Sequence, residues 1–95
     1  GGEFIRKIKM KDFYIYSVSS GTCIAFTRMR GENRFEIYNT ATGHYTSFAN
    51  ISGDTFYVYD VATGNCIENG RIDHASNTVW FYNTKTGSCD KFGRI

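Results

Sequence analysis

Ninety-five residues, 41% hydrophobic and 21% charged, suffice for one globular domain with a single modest core, not for a core plus a separate substrate domain. No apolar run approaches the roughly 18 residues that a membrane helix needs, so membrane insertion is not expected. The net charge of +2 is uneven: Arg6, Lys7, Lys9, Lys11, Arg28 and Arg30 face only Glu3 and Asp12 in the first 30 residues, giving +4 there and −2 over the rest.

The chain opens with Gly1, Gly2, Glu3 and Phe4, which read as a cloning scar, so an upstream leader is compatible with the sequence and the compartment stays open. Ile8 and Met10 then alternate with Lys7, Lys9 and Lys11, predicting a basic half-buried strand over 4–10. Lysines facing water on such an edge strand block edge-to-edge aggregation, which accounts for the basic run without a nucleic-acid partner. Residues 3–6, Glu-Phe-Ile-Arg, echo 91–94, Lys-Phe-Gly-Arg, so this first strand is expected to pair beside the last.

From Lys11 onward the chain is an internal repeat. Tyr16, Tyr38, Tyr59 and Tyr82 are spaced by 22, 21 and 23 residues, and their flanks align without gaps. Ile15, Ile37, Val58 and Phe81 stand one position before them; Phe13, Phe35, Phe56 and Val79 stand three before. Gly21, Gly43, Gly64 and Gly87 follow at five, and Cys23, Tyr45, Cys66 and Cys89 at seven. Further on, Phe26, Phe48, Asn69 and Phe92 share a column. So do Arg28, Asn50, Arg71 and Arg94. The copies span about 11–32, 33–53, 54–76 and 77–95.

Each copy predicts a hairpin. Thr55–Asp60 and Thr78–Asn83 alternate with period two and are rich in aromatic and β-branched residues. Between strands, Asn39, Asp60 and Asn83 can accept a hydrogen bond from an amide two residues on, and the glycine column can take the left-handed conformation that ends such a turn. Four hairpins plus the basic strand give eight or nine antiparallel strands without a helix: an all-β meander, closed as a small barrel or folded as a sandwich.

The bend at 59–65, Tyr-Asp-Val-Ala-Thr-Gly-Asn, resembles hairpins of β-propeller blades, notably quinoprotein-like and kelch-like repeats, and less closely those of cell-wall choline-binding and glucan-binding repeats. The propeller resemblance implies two four-stranded blades completed by oligomerisation. The wall-binding resemblance implies a glycan ligand, although those repeats carry tryptophan in nearly every copy and this chain has only Trp80.

The three cysteines share one column, and in a meander equivalent positions of adjacent hairpins lie roughly 9.5 Å apart, beyond the about 7 Å that a disulfide spans, so that Cys23 and Cys89 could approach only if the sheet closes or folds over. All three are expected free, buried beside the turns and mildly favouring a reducing compartment; no metal or cofactor is expected. The sequon at Asn50 bears on function only in a secreted eukaryotic protein. His44 follows a turn glycine as a solvated residue. His74 sits in the loop over 68–76 with Glu68, Arg71, Asp73 and Ser76, where a hydrolytic triad ranks last among the readings because sequence neighbours seldom face one another correctly.

The surplus is aromatic. With the Phe, Ile and Val columns forming the core, Tyr14, Tyr16, Tyr38, Tyr57, Tyr59, Trp80 and Tyr82 point the other way as one exposed patch. The leading expectation is a non-catalytic module docking a protein partner or a second copy of itself through that face. A glycan-binding module comes second. Single-stranded nucleic acid, with bases on the tyrosines and phosphates on Arg6, Arg28, Arg71 and Arg94, comes third.

Overall fold

The computed structural model describes residues 10–95. The basic strand expected over 4–10, and Arg6 within it, lie outside the described residues apart from Met10, which is not in a strand. Eight strands follow: β1 (Tyr14–Ser17), β2 (Cys23–Met29), β3 (Arg34–Asn39), β4 (Tyr45–Ser52), β5 (Thr55–Asp60), β6 (Cys66–Asp73), β7 (Thr78–Asn83) and β8 (Cys89–Arg94). Each pairs antiparallel with the next, and β8 pairs with β1, closing a barrel. Of the sandwich, blade and barrel readings, the barrel is the one found. Residues 3–6, expected beside the last strand, lie outside the described residues, and closure is made by β1 meeting β8. The repeat explains this, because Phe92 lies opposite Tyr16 just as Phe26 lies opposite Tyr38 and Phe48 opposite Tyr59.

The bends within the four repeats share one backbone hydrogen bond, from the glycine amide to the carbonyl four residues earlier. The amide of Gly43 donates to Asn39 O (2.7 Å), and the Asn39 side-chain Oδ1 accepts from the amides of Ala41 (2.8 Å) and Thr42 (3.1 Å). Asn83 repeats this with Lys85 and Thr86. Asp60 differs, accepting from the amide and hydroxyl of Thr63. Gly21, Gly43, Gly64 and Gly87 have φ of 72, 76, 76 and 75°, the left-handed region in which a Cβ is disfavoured.

The same bend inserts a bulge, and the bulge sets the faces. Ile15 pairs with Ala25 but Tyr16 with Cys23, so Ile24 is the extra residue; the shift recurs at Ile37/Tyr38, Val58/Tyr59 and Phe81/Tyr82. Beyond it, second strands turn small residues inward: Ala25 and Thr27, Ser47 and Ala49, Gly70, and Gly93 are all buried. First strands turn large ones inward, and Phe35, Phe56, Phe81, Ile15, Val58 and Val79 are fully buried. Large meets small at the centre of the interior, as in Phe35 opposite Ala49 and Phe81 opposite Gly70. The Phe35 ring lies edge-on to Phe13 (5.4 Å), Phe56 (5.4 Å) and Phe81 (6.3 Å). A barrel of eight strands is just wide enough for side chains to fill, and here they fill it. At the hairpin-bend end the interior closes on an ion pair, Lys91 Nζ to Glu68 Oε2 at 2.9 Å. Candidate sites therefore lie on the outer wall and at the two ends.

Candidate functional site

On the outer wall, register arranges the aromatic residues into ladders that climb diagonally across the strands. The longest takes Tyr14 on β1, Phe26 on β2, Tyr38 on β3 and Tyr45 on β4. Phe26 and Tyr38 stack at 5.2 Å with planes 8° apart, and Tyr45 follows at 5.5 Å and 35°. A second ladder takes Trp80 on β7, Phe92 on β8 and Tyr16 on β1, with centroids 6.0 and 5.4 Å apart. Phe48 stacks on Tyr59 (5.5 Å, 24°) in a third. The fourth has Tyr57, Asn69 and Tyr82; asparagine leaves it without a ring contact.

The single exposed face expected from the sequence is thus corrected. All seven predicted aromatic residues do lie outside the interior, but closure spreads them around the circumference. Tyr14 on β1 and Tyr57 on β5 stand on opposite sides of the barrel. They are 60% and 54% exposed, while Tyr16, Tyr38, Tyr59, Trp80 and Tyr82 are half-buried by their ladder neighbours. Phe26, Phe48, Phe92 and Tyr45 complete the ladders and are missing from the seven. Their signal is present in the columns ten and seven residues after each tyrosine: Phe26, Phe48 and Phe92 lie opposite the next copy's tyrosine, and Tyr45 opposite its own.

Arginines cover the ladders. Arg28 lies 5.6 Å from the Tyr38 centroid, Arg94 lies 5.9 Å from Phe92, and Arg34 lies 4.1 Å over Phe48. Arg71 is exposed opposite Trp80. Beside the long ladder, Arg30 Nε donates to Glu36 Oε1 (2.7 Å), which also accepts from Tyr38 Oη (2.8 Å). Those two bonds, Arg30 first, hold the Glu36 carboxyl below its ordinary range.

The cysteines are also corrected. They are free, but Cys23 is exposed, and Cys66 and Cys89 are half-exposed. The bulge turns them onto the outer wall, opposite Tyr16, Tyr59 and Tyr82. Burial, then the neighbouring Asp90 carboxylate, pushes the Cys89 thiol up.

At the end opposite the bends, Asp54, Thr55, Arg71, Ile72, Asp73 and His74 line an open recess of about 410 Å³. His74 Nε2 meets Asp54 Oδ1 at 3.1 Å, not Asp73. Asp73 instead accepts from Ser76 and the Ala75 amide, which hold its carboxyl below the ordinary range, Ser76 foremost. The Ser76 hydroxyl is therefore engaged by the carboxylate, not by the imidazole, and the relay of a serine hydrolase is not assembled. Compared with protein-family models, curated proteins and solved structures, the chain matches none.

Proposed function

We propose that the chain is a non-catalytic interaction module that docks a protein partner through the outer ladder Tyr14, Phe26, Tyr38 and Tyr45. The observation that carries this reading is the stacking itself. Tyr38 lies between Phe26 and Tyr45, and Phe92 lies between Trp80 and Tyr16. These two central rings offer their edges, and Tyr38 its hydroxyl, not their faces. A sugar ring or a nucleobase needs a bare face to stack on. A protein surface is suited by rigid rings with polar tips, bordered by charge. Arg28 and the Arg30–Glu36 pair supply that border beside Tyr38.

One observation favours glycan binding as a second reading: Tyr14 and Tyr57 have no ring partner among the described residues and stand most exposed. Two measurements separate the readings. Trp80 and tyrosine fluorescence is followed while oligosaccharides or single-stranded DNA are titrated in, with no saturable change expected. In parallel, a photo-crosslinker is placed at Tyr45 in the producing cell. Discrete adducts that vanish on Tyr14→Ala support docking; a saturable sugar response that vanishes on Tyr57→Ala replaces it with the glycan reading.

A further inference from the structure

Cutting the barrel between β4 and β5 leaves two halves, and these halves match. Phe13, Tyr14, Tyr16, Val18, Cys23, Ile24 and Arg28 in the first correspond to Phe56, Tyr57, Tyr59, Val61, Cys66, Ile67 and Arg71 in the second. The two seams joining the halves share one register. At the linked seam Ser47, Phe48 and Ala49 face Asp60, Tyr59 and Val58. At the open seam Lys91, Phe92 and Gly93 face Ser17, Tyr16 and Ile15. The flanking hydrogen bonds agree as well. Val61 N donates to Thr46 O at 3.0 Å, and Val18 N to Asp90 O at 2.9 Å. Phe48 stacks on Tyr59 at 5.5 Å and 24°, and Phe92 on Tyr16 at 5.4 Å and 24°.

Only one of these seams is crossed by the chain, through the tight link Ser52-Gly53-Asp54-Thr55. The other forms three pairs at the equivalent positions with no covalent connection, whereas the linked seam runs on through Asn50–Tyr57, Ile51–Phe56 and Ser52–Thr55 to the link. The register of the three shared pairs is therefore set by the strands and not by the link. We infer that the halves are interchangeable between copies: opening the link lets residues 10–52 of one chain close with residues 55–95 of another, giving a dimer of two complete barrels. The partner is a second copy of this chain, and the surfaces are the paired edges of β1, β4, β5 and β8. Exchange of identical elements costs little, because every strand pairing given up within one chain is remade between two. Only the local-concentration advantage of the short link opposes it, of order millimolar.

The test uses the whole chain. Equal amounts of unlabelled and nitrogen-15-labelled protein are mixed at about 1 mM, near that effective concentration, warmed to the melting midpoint, cooled, diluted and weighed by native mass spectrometry. Exchange predicts dimers that persist on dilution, mixed-isotope dimers outnumbering either pure kind. Recovery of monomer alone overturns the inference, as does a dimer that falls apart on dilution, which is a surface association. A second variant lacks Gly53 and Asp54, so β4 can no longer reverse into β5. It is expected to be dimeric at every concentration with the far-ultraviolet spectrum of the parent, and a natively folded monomer overturns the inference. Should that variant not fold, the isotope experiment decides alone. Repeating the mixing with Tyr14→Ala and Tyr45→Ala separates this inference from ladder docking, since those residues lie off the shared pairs and exchange should persist.

Discussion

Gly64 and Gly70 make opposite demands on the space around them. At Gly64 a Cβ would meet nothing within 4 Å, yet φ is +76°. The constraint is conformational, so Gly64→Val should cost about 1–3 kcal/mol, whereas Gly64→Asn, whose side chain tolerates that region, should cost clearly less. At Gly70 a Cβ would run into the Phe56 ring and the Trp80 carbonyl oxygen. The constraint there is steric, and Gly70→Ala alone should cost about 1–3 kcal/mol or more. Urea melts of the three variants check both statements, and an unperturbed Gly70→Ala melt would remove the interior packing argument. Glu36 makes a titratable demand. Its folded carboxyl lies below the ordinary glutamate range because Arg30, then Tyr38, hydrogen-bond to the charged form. A depressed carboxyl contributes stability above its unfolded value and loses it as pH falls through the folded value. Acid melts below about pH 4.3, the unfolded glutamate value, should thus fall less steeply in Glu36→Gln than in the parent, with the two slopes converging near neutrality.

First strands and bends were legible because each hairpin carries its own period and its own turn residues, whereas the stretch over 68–76 that reads as a loop is strand β6 as far as Asp73. Tyr57–Tyr59 alternates plainly, and Asn39 with Gly43 marks a bend wherever the pair occurs. Inside and outside on the second strands were not. Counting by twos from Ala25 back to Cys23 puts both on one face, but the extra residue Ile24 reverses the count and sends the thiol outward. The cysteine column reads as interior because free cysteine is usually buried, and the extra residue at Ile24 carries no glycine to announce it. Its true placement predicts reactivity. With single-cysteine variants and an aromatic disulfide reagent at mildly alkaline pH, exposed Cys23 should react faster than Cys89, whose burial raises its thiol and lowers the thiolate fraction. Equal rates for the two would contradict the greater exposure of Cys23.

Closure could not be read from the periods either, since a flat meander, a sandwich and a barrel share the same alternation. What decides it is volume. First-strand and second-strand positions alternate large and small, Phe35 against Ala49 and Phe81 against Gly70, and only a sheet curled on itself brings Phe13, Phe35, Phe56 and Phe81 together. The same closure divides the phenylalanines into two classes that look identical in the chain. Phe35 touches three other rings and is fully buried; Phe48 lies on the wall between Tyr59 and Arg34 and is half-buried. Truncating Phe35 to alanine removes its transfer energy and leaves a cavity that rigid strands cannot collapse, a loss of about 3–5 kcal/mol. Truncating Phe48 removes one stacked pair and one cation–π interaction from a surface that water can refill, a loss of about 1–2 kcal/mol. Urea melts at a common pH compare the two directly. Equal losses would mean that Phe48 is as enclosed as Phe35, that the wall is a second core layer, and that the ladder proposed for docking is a structural element instead.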